Sequence, residues 1–142
     1  MTLQTLDAKA AASLETWHDM VARKDLDGLD AIVHPEANFR SPMAFKPYHS
    51  AQAVTLVLRT VLTVFEDFAY HRQFVSEDGR SVVLEFSARV GERSLKGVDI
   101  IAFDADGMIV DFEVMVRPFN ALQALGEQMA ARIAAVIPQF KS

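Results

Sequence analysis

Apolar residues recur at three- and four-residue steps along the first part of the chain. Leu6, Ala10, Leu14, Trp17 and Val21 form one stripe, and that spacing predicts an amphipathic helix from about Leu6 to Arg23. Asp25 suits the N-cap of a second, short helix carrying Leu29, Ile32 and Val33, which Pro35 is expected to end. Ala37 to Arg40 reads as a short strand, and Ser41 to His49, with Pro42 and Pro47, as a loop. Ser50 suits the N-cap of a third helix running to about Phe65, with Val54, Leu58, Val61, Leu62 and Phe65 on its apolar side. The period then changes. Tyr70 to Val75, Ser81 to Val90, Ser94 to Phe103 and Met108 to Arg117 read as strands, separated by turns at Glu77-Asp78-Gly79, Gly91-Glu92 and Asp106-Gly107. Pro118 suits the first turn of a final helix whose stripe is Phe119, Leu122, Leu125, Met129, Ile133 and Val136, with Pro138 as its stop. Helices, then a strand meander, then one more helix indicate an α+β fold with an antiparallel sheet.

One position breaks the pattern. Asp99 lies inside the apolar run Gly97 to Phe103 and shares a strand face with Ile101 and Phe103. A carboxylate there is costly unless it is paired, solvated in a cavity or protonated. The other face of this strand, Val98, Ile100 and Ala102, is also apolar, so both sides of the sheet are expected to be covered. The helices can cover one side, and a second copy of the chain or the terminal helix the other.

Composition narrows the function. A chain of 142 residues, 51% hydrophobic, with ten Phe and one Trp, is expected to form one domain over residues 1–142 with a substantial core. The net charge of −5 and scattered basic residues argue against a nucleic-acid partner. The chain has no cysteine, which rules out disulfides, thiolate metal sites and a cysteine nucleophile. No secretory signal or membrane-length apolar run is visible, so a cytoplasmic protein without membrane association is expected. His18, His34, His49 and His71 have no metal-ligand spacing, and the Asp104-Ala105-Asp106-Gly107 turn has Met115 where a calcium loop needs Glu. Glu85 and Glu113 fall on faces turned away from the expected cavity, and Arg117 reads as an outward salt bridge or intersubunit contact more readily than a ligand anchor. Nucleophile elbows, phosphate loops and dinucleotide fingerprints are absent, and no cofactor is called for.

Trp17, Lys24-Asp25-Leu26, Pro35-Glu36-Ala37, Ser41-Pro42, Tyr48-His49-Ser50, Gly97-Val98-Asp99, Asp106-Gly107-Met108-Ile109 and Val116-Arg117-Pro118 occur in an order that resembles the SnoaL-like branch of the nuclear transport factor two-like superfamily. The resemblance covers nearly the whole chain. It implies a cone-shaped α+β barrel in which a curved antiparallel sheet packs against N-terminal helices, here with an extra C-terminal helix. It says less about activity, because the superfamily holds isomerases, cyclases, epoxide hydrolases, dehydratases and non-catalytic binders. Ketosteroid isomerase uses a helix tyrosine and a protonated strand aspartate as an oxyanion hole, with an aspartate base. On this chain those positions fall on Trp17, Asp99 and Ser41, so only the strand aspartate remains, and steroid isomerisation by that route is not expected. The Asp-Arg-Asp cluster of the epoxide hydrolase relatives is contradicted by an apolar Val114. A single acid/base aspartate, as in the polyketide cyclase relatives, is contradicted least.

The resemblance then implies a dimer with a pocket for a small, largely apolar molecule. Its expected lining is Trp17, Val21, Phe39, Ser41, Leu84, Phe86, Asp99, Phe112, Val114 and Val116. Two classes of function fit. One is a cofactor-independent isomerase, cyclase or dehydratase with Asp99 as its acid/base group. The other is a non-catalytic ligand binder or dimeric interaction module, in which Asp99 is bonded to a neighbouring strand, helix or Trp17 as part of the fold.

Overall fold

The strand meander forms the body of the structure, a computed structural model that describes residues 5–136. Four consecutive strands, β3 (Glu66–Val75), β4 (Ser81–Val90), β5 (Arg93–Phe103) and β6 (Ile109–Arg117), pair antiparallel in chain order. The chain before them supplies helix α1 (Ala8–Arg23), a short 3-10 turn (Leu29–Ile32), strands β1 (Val33–Arg40) and β2 (Tyr48–His49), and helix α2 (Ala51–Val64); helix α3 (Phe119–Val136) follows. The sheet order is β2-β1-β6-β5-β4-β3. The fold is mixed α+β, with a curved, unclosed sheet. Register shifts within the β1–β6, β3–β4 and β5–β6 pairs interrupt the ladders, and such irregularities bend and twist strands.

Several local expectations change. Tyr48 and His49, expected in a loop, pair with β1 as β2, and β3 begins at Glu66 rather than Tyr70. β1 joins β6 in parallel, so the sheet is not wholly antiparallel: the chain leaves β1 through α2 and the whole meander before β6 arrives beside it. Asp25 does not cap a helix. Its carboxylate accepts the Asp27 N–H instead, and Gly28 precedes the 3-10 turn. Pro35 sits inside β1 rather than ending a helix, in the stretch between Val33 and Asn38 where the pairing with β6 is broken and a missing N–H does no harm. Ser50 caps α2 as expected, its hydroxyl accepting the Ala53 N–H. Pro138 and the Val136 side chain lie outside the described residues.

Alternation on β4 and β5 is complete. Val82, Leu84, Phe86, Ala88 and Val90 face inward, as do Leu95, Gly97, Asp99, Ile101 and Phe103. Gly97 makes room for an aromatic neighbour: a Cβ there would lie 2.5 Å from both the Phe86 ring and the Met115 carbonyl. Phe86 is opposite Gly97 across the β4–β5 pair and fills the space the glycine leaves. One packed cluster joins Leu14, Trp17 and Met20 of α1 to Leu84, Ile101 and Phe112 of the sheet; a second joins Phe86 and Leu95 to Ala121 and Leu125 of α3. No helix of the described residues is long and apolar enough to cross a membrane.

Candidate functional site

Helices and sheet do not meet everywhere. A cavity of about 310 Å³ lies between the inner sheet face and the helices. α2 presents Val57, Leu58, Val61 and Leu62 to it, and α3 presents Leu125, Met129 and Ile133. α3 can close the space because it turns back directly after Pro118, whose carbonyl accepts the Leu122 N–H. Met43, from the segment between β1 and β2, lies against Gly126 of α3, where a Cβ would come within 2.8 Å of its sulfur. Both residues line the cavity. The walls are chiefly aliphatic and aromatic, with a few polar groups, which is the usual character of a small-molecule site.

The deepest polar feature is a three-residue chain of hydrogen bonds. Trp17 Nε1–H donates to the Tyr70 hydroxyl at 2.9 Å, and Tyr70 O–H donates to Asp99 Oδ2 at 2.6 Å. α1 supplies the first group, β3 the second and β5 the third. Trp17 and Asp99 are 3% and 6% exposed, and both line the cavity. Burial pushes the Asp99 carboxyl up to about 7, against the opposing pull of the Tyr70 hydrogen bond. The Tyr70 phenol is held well above its ordinary range, first by burial and then by the Asp99 charge. Tyr70 therefore keeps its proton near neutral pH while Asp99 gains or loses one. Among the described residues only Oδ2 of Asp99 receives a hydrogen bond, which leaves Oδ1 as the oxygen for the titrating proton. In the neutral form Asp99 can donate a hydrogen bond to a ligand carbonyl. In the ionised form it can take a proton from one.

A family model described as a SnoaL-like domain matches residues 14–112. The chain belongs to the SnoaL-like family. It is similar to a solved structure described as a steroid delta-isomerase from Pseudomonas aeruginosa, with 65% identity, a TM-score of 0.92, and coverage of 95% of this chain and 98% of that one. An uncharacterised bacterial protein with a cystatin-like fold from Silicibacter pomeroyi DSS-3 is 32% identical, with a TM-score of 0.81 over 90% of this chain and 89% of its own. At 16% identity and a TM-score of 0.64, an epoxide hydrolase/cyclase-like enzyme of salinomycin pyran-ring formation, SalBIII, shares the fold over 80% of this chain and 93% of its own. Among curated proteins none matches.

Seven residues expected to line the pocket of this SnoaL-like protein do so: Trp17, Val21, Phe39, Ser41, Asp99, Phe112 and Val114. Three do not. Leu84 is packed solid in the cluster beneath α1, at 1% exposure. Phe86 lies under Phe65 and Phe68, with ring centroids 5.6 and 5.1 Å away, and is sealed from the cavity. Val116 points the same way as Val114 but packs into the second cluster, with Ala121 and Leu125 of α3. Trp17 was one of the partners considered for Asp99; Tyr70 stands between them. Tyr70 is the residue that sequence reasoning missed. No pattern along the chain marked it: strand register brings Tyr70 toward Asp99, pairing Tyr70 with Phe86 and Phe86 with Gly97, two residues before Asp99.

The remaining candidates sit outside the cavity. The ring of His18 meets Tyr70 edge-on at 5.2 Å. His49 pairs with Asn38, His71 with Ser87, and the His34 ring accepts the Glu36 N–H. Glu85 lies on the outer sheet face between Arg72 and Lys96, and the Arg72 hydrogen bond, joined by Lys96, holds its carboxyl down at about 2. Arg117 is exposed beside it, in a shallow outer groove. Asp104 closes the last hairpin turn, accepting from the Asp106 and Met108 N–H groups. Among the described residues no group of three or more His, Cys, Asp or Glu is placed to hold a metal ion.

Proposed function

We propose that this chain binds a small, largely apolar carbonyl compound in its cavity and that Asp99 moves a proton on it. The observation that carries this reading is a carboxyl with one oxygen held by Tyr70, in a largely apolar cavity, titrating near neutral pH. An ionised Asp99 would remove a proton from a carbon next to the carbonyl. The neutral acid so formed would return that proton to the same or a conjugated carbon, which conserves atoms and charge over the cycle and needs no cofactor. Tyr70 and Trp17 would hold the carboxyl in place without exchanging protons themselves. The name of the Pseudomonas relative supports the isomerase branch of this reading. The position that would hold a second carboxylate by resemblance is Ser41, so the proposed chemistry rests on one carboxyl group.

Ligand binding without turnover is the second reading. It is favoured by the lack of a second carboxylate, imidazole or amine among the described residues lining the cavity. Deuterium uptake by 2-tetralone in heavy water, followed by proton NMR, separates the two. The acid/base reading expects exchange that rises through about pH 7 and disappears in Asp99→Asn. Binding of the ketone with no exchange above the buffer rate would establish the second reading instead.

The homodimer belongs to the same proposal. The outer faces of β4, β5 and β6 carry Val83, Val98, Ile100 and Ala102, all half-buried, and Met115, which is 49% exposed. Glu85 is neutralised there by Arg72 and Lys96, so an identical face can approach without uncompensated repulsion. Light scattering after size exclusion tests this, with Ile100→Lys expected to give a monomer.

A further inference from the structure

The cavity has a second polar position. β1 and β6 run parallel with Phe39 level with Phe112 and Arg40 with Glu113, and that register, continued one residue past the end of β1, sets Ser41 beside Val114. Val114 is itself the partner of Asp99 across the β5–β6 pair. Ser41, Val114 and Asp99 thus form one row across the inner sheet face, and all three line the cavity. Two strand spacings separate the ends of that row, or about 9–10 Å between Cα atoms.

The local bonding of Ser41 decides what it can offer. Its Oγ accepts the Met43 N–H at 3.0 Å, which occupies a lone pair and leaves the hydroxyl proton free to be donated. No carboxylate or imidazole is bonded to it among the described residues, so it is a hydrogen-bond donor and not an activated nucleophile. Between the two ends the floor is apolar, with Val114 and Phe112 below and Leu125 and Met129 of α3 across the cavity. A cavity of about 310 Å³ holds roughly ten non-hydrogen atoms at the ~30 Å³ that each molecule of liquid water takes, and somewhat more at protein-like packing.

From this we infer that the ligand is two-ended: a compact, bicyclic-sized apolar body with a carbonyl at the Asp99 end and a second oxygen, hydroxyl or carbonyl, that accepts from Ser41 at the other. Ser41 is then the residue that selects for the second oxygen. The inference rests on the proposed carbonyl ligand and specifies its far end.

Titration calorimetry with three probes tests it: tetralin, 2-tetralone and 6-hydroxy-2-tetralone, which carry no oxygen, one oxygen, and two oxygens at opposite ends of the same bicycle. Wild type is expected to bind the hydroxyketone roughly tenfold more tightly than the ketone, the range of one well-made hydrogen bond. Ser41→Ala should erase that preference and leave 2-tetralone affinity unchanged. Ser41→Thr, which keeps a hydroxyl and guards against a merely structural effect of losing the Met43 contact, should restore it. Equal affinity for the two ketones in wild type, or a preference that survives Ser41→Ala, overturns the two-ended ligand and leaves the carbonyl reading standing. Failure of both ketones to bind, with or without binding of tetralin, overturns both.

Discussion

The inner face of the sheet has two ends, built from the same kinds of residue and covered in different ways. Under α1, Leu84, Ile101 and Ile109 are at most 1% exposed and packed against Leu14 and Met20. Toward α2 and α3 the same strands present Asp99, Phe112 and Val114 to open space. Hydrophobicity does not distinguish the ends. The difference is whether side chains fill the space beneath the covering helix. Leu14 and Met20 of α1 fill the space beneath that helix, whereas α2 and α3 pack on each other and roof a hollow. A buried carboxyl is tolerable only at the hollow end, where a ligand can meet its second oxygen.

The sharpest way to break this comparison is to remove the charge. The Asp99 carboxyl is raised from 3.8 to about 7 in the folded chain. The native state therefore holds a proton that the unfolded state has lost over that window. Stability contributed by the neutral acid is complete below about pH 4 and is lost as pH rises through 7. At about 1.4 kcal/mol per pH unit, the loss approaches about 4 kcal/mol by pH 8. Asp99→Asn should remain flat over this range and be the more stable protein at pH 8, as measured by urea unfolding at a series of pH values. If both proteins trace parallel curves, the carboxyl is not desolvated.

Truncation should then separate the two ends. Ile101→Ala, at the packed end, is expected to cost about 3 kcal/mol, because the lost contacts leave a cavity that the neighbours cannot fill. Tyr70→Phe should cost about 2 kcal/mol by orphaning the Trp17 N–H and removing the Asp99 hydrogen bond. It should also move the Asp99 titration further upward, since that bond now opposes the shift. Carboxyl carbon NMR reads that movement, and the fluorescence of the only tryptophan reports the lost partner. Val114→Ala faces space that is already empty and should cost about 1 kcal/mol or less. A Val114→Ala cost equal to that of Ile101→Ala would mean that the hollow end is packed in solution. The smallest effect is expected at Gly126. Gly126→Ala gains about 1 kcal/mol of helix propensity and loses part of it by displacing the flexible Met43 side chain, so calorimetric melting should change little.

Much of this was legible in the chain itself. Ser81 to Val90 and Ser94 to Phe103 were legible as strands, and the structure matches those bounds within a residue, because apolar runs bounded by turn residues are a local property of the chain. Ser50 capped its helix for an equally local reason. The oddity of Asp99 was visible because an acidic residue within an apolar run is unusual wherever the strand goes. Leu84 and Phe86 were assigned to the cavity because they share a face with its wall, yet a face does not say which helix lies above it. Pro35 was read as a terminator because a break in the β1–β6 ladder cannot be foreseen from β1 alone.

The amino-acid sequence by itself determined the order of the main elements, which residues share a face on β5 and β6, and the presence of one carboxyl in an apolar interior. These follow from propensity, periodicity and the cost of burying charge, all of which act within a few residues of one another. Only the tertiary structure decided that Tyr70 stands between Trp17 and Asp99, that β1 enters parallel and carries Ser41 into the row of Asp99, and that α3 roofs a space instead of filling it. Those relations join residues dozens of positions apart. They are set by strand register and by how closely packed elements can approach, and no local pattern along the chain encodes either.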